Sequence, residues 1–139
     1  NFTLTTDGTY FIRIENNDGN AVRSTNADLT VSDAPTWTTS AGSLGTIAGN
    51  FSGTVATVAA TGDTIVYSET TNVLTNNALA NCTLNSSTGA ITTTDFAGSN
   101  TTAATYTFTL RATDAQNQTA DREFTLTSSF GATGGGQFN

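Results

Sequence analysis

Eleven Asp and Glu side chains, four arginines and a single cysteine, Cys82, are all the charged or thiol chemistry that this 139-residue chain carries; histidine and lysine are absent. Without histidine there is no Ser–His or Cys–His pair, and without lysine there is no Schiff base or Ser–Lys dyad. The lack of lysine also removes the Lys–Asn isopeptide bonds that stiffen some surface adhesins. Paired carboxylates can run glycoside hydrolysis, but no spacing here directs two of them into one cleft. Cys82 lies in "ANCTLN" beside Leu84, with no basic residue or second metal ligand nearby in sequence. That setting describes a buried, inert thiol. The chain reads as a non-enzyme.

Binding chemistry is equally sparse. Asn16, Asn17, Asp18 and Asn20 form a polar loop able to hydrogen-bond a sugar or a receptor, although Asn, Asp and Gly at such spacing are also plain turn chemistry. A carbohydrate site is usually accompanied by aromatic platforms, and the loops carry none. The formal net charge of -7, with basic residues only at Arg13, Arg23, Arg111 and Arg122, argues against a phosphate backbone as partner. No apolar run approaches the roughly 18 residues that cross a bilayer. The opening "NFTLTTDGTY" lacks the basic and apolar regions of a signal peptide and reads as the middle of a longer chain. Sequons such as "NFS", "NSS" and "NQT" are abundant, as chance dictates in a chain so rich in Asn, Thr and Ser.

The elements that must position these groups are strands. Threonine is the commonest residue, proline occurs once, and no stretch of ten or more residues has a 3.6-residue period. "TYFIRIE", Thr9 to Glu15, alternates, with Tyr10, Ile12 and Ile14 on one face. The turn "NNDGN" follows, then "AVRS" from Ala21 and "ADLTVS" from Ala27, with Leu29 and Val31 inward. Three short strands do not make a self-sufficient sandwich, so residues 1–33 are expected to be the closing strands of an incomplete module. A peptide of residues 1–32 should show no cooperative sheet transition by circular dichroism.

"SDAPTW", Ser32 to Trp37, marks the boundary, because Pro35 fixes its φ and removes a donor. Strands are predicted near 36–40, 53–59, 63–69, 79–84, 90–94, 104–113 and 119–128, a spacing that suits a seven-strand sandwich over 34–129. The predicted core is Trp37, Leu44, Ile47, Val55, Val58, Ile65, Tyr67, Leu79, Leu84, Ile91, Tyr106, Phe108, Leu110, Phe124 and Leu126, with Val66 turned outward. "DAQNQ" makes the turn between the last two strands. One cysteine allows no internal disulfide, so packing and sheet hydrogen bonds must hold the fold. Residues 130–139, "FGATGGGQFN", read as a glycine-rich tail whose Phe130 and Phe138 dock into a neighbouring subunit.

"APTWTTSAGSLGTI", "VATVAATGDTIVYSE", "LNSSTGAITTT" and "YTFTLRATDAQNQTADREFTLT", together spanning Pro35 to Ser128, resemble the cadherin-like family of immunoglobulin-type β-sandwiches found in bacterial surface proteins and phage tail and fibre proteins. "DGTYFIRIENNDGNAVRS" resembles the closing strands of an IPT/TIG-like immunoglobulin-fold module. The resemblance implies an all-β fold and a structural module of a phage virion (fibre, tail or capsid decoration) that acts as a rigid spacer or assembly domain. The alternative it implies is a module of a bacterial surface adhesin or extracellular filament. Its partners would be copies of itself or other virion or surface proteins, with a virion-surface or cell-surface location.

Cadherin-like folds often hold calcium between modules, in a ring of six to eight oxygens. Asp33, Asp114, Asp121 and Glu123 fall near the family's calcium positions. The "SDAPTW" linker departs from the family pattern by keeping only one acidic residue. A competing expectation needs no metal: Asp114 caps the hairpin turn, while Asp121, Arg122 and Glu123 form a solvated edge.

Overall fold

The computed structural model describes residues 6, 8–11, 14–15, 21–22, 28–98, 100 and 102–129. The chain divides into two compact units, Asn1–Asp33 and Ala34–Asn139. In the first, β1 (Gly8–Phe11) pairs antiparallel with β4 (Asp28–Val31), and β2 (Ile14–Glu15) with β3 (Ala21–Val22). The Tyr10 hydroxyl donates to the Thr6 carbonyl at 2.6 Å.

The second unit is a β-sandwich. Its elements are β5 (Thr36–Trp37), β6 (Gly42–Ile47), β7 (Gly53–Thr57), β8 (Ala60–Thr61), β9 (Val66–Glu69), β10 (Thr83–Leu84), β11 (Ala90–Thr93), β12 (Ala104–Thr113) and β13 (Thr119–Ser128). One sheet has the order β6-β13-β12-β9, another β10-β11-β7, and β5 pairs with β8. The strands β12 and β13 form a hairpin with ten paired positions, Ala104↔Ser128 to Thr113↔Thr119. Their alternation decides which side chains are inside: Tyr106, Phe108, Leu110, Ala112, Phe124 and Leu126 are all buried. Trp37 packs edge-on against Phe124 at 5.4 Å and tilts against Tyr67 at 5.7 Å. Its indole N–H donates to the Ala120 carbonyl at 3.0 Å, so the polar handle of the largest core side chain is satisfied.

Two predicted strands are corrected, and one strand that was not predicted is added. The expected strand 79–84 survives only as Thr83–Leu84, and Leu79, expected inside, is exposed. The Leu79 and Asn81 amides both bond the Asn76 carbonyl, and Asn81 has φ 54°, which strand geometry cannot accommodate. Leu74, Ala80 and Cys82 fill the core there instead. The strand expected over 63–69 begins only at Val66, because Thr64 has φ 53°; Val66 itself faces outward, as its alternation predicts. Finally, Gly42–Ile47 is a strand that its glycines conceal, paired parallel to β13 with a bulge opposite Thr125–Thr127. Gly45, at φ 136°, sits in that bulge.

Candidate functional site

The carboxylates singled out for calcium do not converge. Asp114 is 5% exposed, and its Oδ1 accepts the Gln116 and Gln118 amides at 2.9 and 2.7 Å. Its Oδ2 accepts the Gln118 side-chain amide at 3.2 Å. This carboxylate therefore ties the hairpin turn to itself, an Asx-type cap. The tip is then fastened to the 61–65 loop, since the Ala115 amide donates to the Asp63 carbonyl at 2.9 Å and Gln116 Nε2 to Asp63 Oδ2 at 3.3 Å.

Asp121 lies opposite Arg111 in the β12–β13 register and accepts both of its fork donors, Nε at 2.7 Å and Nη2 at 2.8 Å. The bond to Arg111 holds the Asp121 carboxyl below the usual range, and the bond back to Asp121 raises the guanidinium. Both side chains are over 40% exposed, at 43% and 42%, so solvent screens the pair and it contributes little to stability. Glu123 faces out beside Thr109, and Asp33 is exposed.

Of the solvated-edge expectation the solvation holds for Asp121 and Glu123, which are exposed, but the edge position does not. The strand β13 is central, between β6 and β12, and Arg122 turns inward to donate to the Thr39 carbonyl at 2.7 Å. Among the described residues no three His, Cys, Asp or Glu side chains gather as a metal-holding group. A calcium ion needs six to eight oxygens, and these carboxylates are either spent on internal donors or apart, so the set does not fit that ion. The polar loop Asn16, Asn17, Asp18 and Asn20 and the tail residues Phe130 and Phe138 lie outside the described residues.

The polar centre that sequence reasoning missed is Glu69. It ends β9, and its carboxylate collects five donors from the segment that follows. Oε1 takes the Thr71 hydroxyl at 2.9 Å and the Val73 and Leu74 amides at 2.6 and 2.8 Å; Oε2 takes the Thr75 amide at 3.0 Å and its hydroxyl at 2.8 Å. Burial by itself would lift this carboxyl, but the Leu74, Val73 and Thr75 amides and the Thr75 hydroxyl outweigh it and hold it below its ordinary value of 4.5. The segment 70–82 has no strand of its own, yet Leu74 is fully buried. Glu69 is the clasp that makes this possible. The only sequence sign was a carboxylate followed by Thr and Asn in "ETTNVLT".

Two outcomes are expected. Glu69→Ala should lower stability by about 2 kcal/mol, read as a shift in urea midpoint, because it leaves the part-buried Val73 and Leu74 amides unpaired. The sign of the pH effect follows from the lowered carboxyl. The stabilisation is fully present above the ordinary value of 4.5 and is lost as pH falls through the lower folded value. The acid limb of a stability–pH curve should therefore flatten in Glu69→Gln.

Cys82 is buried, and its thiol donates to the Ala80 carbonyl at 3.4 Å. Burial first, then the Glu69 charge, push it up to about 12. It stays a protonated thiol at neutral pH and is unsuited to nucleophilic work.

No family model and no curated protein matches the chain. Solved structures do. The extracellular cadherin domains 3–6 of protocadherin gamma B2 superpose with a TM-score of 0.56 at 23% identity, over 68% of this chain and 22% of that one. The cis-dimer structure of protocadherin gamma B7 domains 3–6 gives 0.57 at 19%, over 76% and 28%. The protocadherin gamma B4 extracellular domain gives 0.56 at 16%, over 87% and 22%. This chain thus spans less than a third of each of these structures, and the likeness is one of fold: the second unit is a cadherin-like, immunoglobulin-type β-sandwich.

Proposed function

We propose that this chain is a non-enzymatic structural module of a phage virion protein, a fibre, tail or capsid decoration, serving as a rigid spacer or assembly domain. The observation that carries the reading is where the polar chemistry goes. Asp114, Glu69 and Asp121 are each bonded to the module's own turn, loop or neighbouring strand. What faces solvent on the β12–β13 sheet is mostly threonine, with Thr105 and Thr127 bonded hydroxyl to hydroxyl at 3.1 Å. Such a face is polar, with Arg111, Asp121 and Glu123 as its charged members. It suits a spacer better than a pocket, and its partners are further copies of the chain or other virion proteins.

The rival reading, a module of a bacterial surface adhesin or extracellular filament, is favoured by the extracellular cadherin domains that share the fold. Mass spectrometry of purified phage particles and of host envelope fractions separates the two. Peptides of this chain in particles support the virion role and peptides in the envelope support the adhesin. Recovery only as a free cytosolic monomer would overturn both.

Calcium is not required by this mechanism. An excess of EGTA is expected to leave the melting temperature of the second unit unchanged; a drop on chelation, reversed by calcium, would contradict the donor-set argument.

A further inference from the structure

The outward face of β6, β13 and β12 carries hydroxyls in two rows that cross all three strands. Thr46, Thr127 and Thr105 lie side by side in the first row, and Ser43, Thr125 and Thr107 in the second. The bulge in β6 keeps the rows in step. Ser43 and Thr46 are three residues apart, an interval that in a regular strand would turn one of them into the core; the extra residue at Gly45 returns Thr46 to the outer face, where it is exposed. Thr109 continues the β12 column beyond the second row. The charged members of the face, Arg111, Asp121 and Glu123, all lie beyond the second row as well, so neither row contains a charge.

Backbone geometry sets the spacing of such a grid, about 4.8 Å from strand to strand and about 6.7 Å between alternate residues of one strand. Those two repeats come close to the oxygen repeats on a prism face of hexagonal ice. The groups suit that partner as well as the spacing does. Each threonine offers a hydroxyl that both donates and accepts, as a lattice water does, beside a methyl group that restricts the water over it. Threonine is stiff at χ1, and the Thr105 and Thr127 hydroxyls are bonded to each other at 3.1 Å, so the face gives up little freedom on binding. From beneath, the buried Tyr106, Phe108, Phe124 and Leu126 hold the strands in place. An ionic partner finds no charge in the two rows, and a sugar finds no aromatic platform. Twist turns neighbouring strands by roughly 20 to 25°, which confines the match to a patch of about this width.

We propose that the hydroxyl grid of Ser43, Thr46, Thr105, Thr107, Thr125 and Thr127 is an ice-binding face. This goes beyond the spacer reading and does not depend on it: the grid uses only the outer side of one sheet, whichever larger body carries the module.

The test is partition of the whole chain into slowly growing ice, with an unrelated globular protein of similar mass and charge in the same solution as reference. The chain should be retained in the ice several-fold more than the reference, which the advancing front excludes. Thr125→Tyr raises a ring above the middle column of the grid and should bring retention down to the reference level. Thr119→Tyr places the same ring on the same strand but outside the rows, and should leave retention unchanged. Tyrosine is favoured in strands, so both variants should keep the melting temperature of the unmodified chain. If Thr125→Tyr melts early, Thr107→Tyr, at the exposed margin of the same row, takes its place. Exclusion of the unmodified chain from ice, or an equal fall in retention for the variants inside and outside the rows, would overturn the proposal. So would a dimer, seen by light scattering and dissolved by Thr125→Tyr, in a chain that ice excludes, because the grid would then be a contact between copies.

Discussion

Phe108→Ala should cost the second unit about 3 to 5 kcal/mol, the usual scale for emptying a buried phenylalanine site. Phe108 is 0% exposed at the middle of β12. Its ring lies 6.3 Å from that of Phe124, its register partner, and Phe124 in turn meets Trp37. Truncation removes the apolar surface of the ring and leaves a cavity that neighbours on two long paired strands cannot collapse to fill. Natural domains are stable by only about 5 to 15 kcal/mol, so such a loss approaches the whole margin. Urea unfolding should show a lower midpoint with an unchanged slope. A loss under about 1 kcal/mol would mean that the Phe108 ring is not in the core and that the β12 register is wrong.

Gly89→Ala is the second large effect, and it works through the backbone. Gly89 has φ +70°, and a methyl group there would stand 2.2 Å from the Val58 carbonyl oxygen. That oxygen cannot easily retreat, because the Val58 amide is bonded to the Gly89 carbonyl at 3.0 Å and the Val58 side chain is fully buried. The turn is also closed by the Gly89 amide on the Asn85 carbonyl at 2.9 Å. Strain and clash together should destabilise by more than about 3 kcal/mol. Gly42→Ala is the matched comparison. Its φ is +99°, but nothing lies within 4 Å of the added methyl, so it should cost only backbone strain of about 1 to 2 kcal/mol. Equal effects at the two sites would refute the steric account.

The parts legible in the sequence were those in which one periodicity governs a long run. The alternation of Thr105 to Ser128 places Tyr106, Phe108, Leu110, Phe124 and Leu126 inside and predicts both strand limits, 104–113 and 119–128, with "DAQNQ" as the turn. Where the chain is held by side-chain-to-backbone bonds, periodicity is silent. Leu79 was expected in the core as an apolar residue of a strand over 79–84, but Glu69 draws the preceding segment into a loop that buries Leu74 in its place. Phe96 was missed for the same reason. It is fully buried in a loop, positioned by its amide on the Phe51 carbonyl at 2.9 Å and by an edge contact with Tyr106 at 6.0 Å. The strand β6 escaped notice because Gly42 and Gly45 have poor strand propensity, and only pairing with β13 makes them extended. Of the site residues, Asp114 was readable as a turn cap, whereas the Asp121–Arg111 pair depends on a cross-strand register ten residues apart.

The central claim is that the molecule works as scaffold, by assembling in a larger body and not by capturing a ligand in its loops. Its most direct test is the mass and oligomeric state of the native protein, by intact mass spectrometry and light scattering. The account predicts a polypeptide well above 14.3 kDa in a trimer or larger assembly. A free monomer of 139 residues would contradict it and return attention to the polar loops.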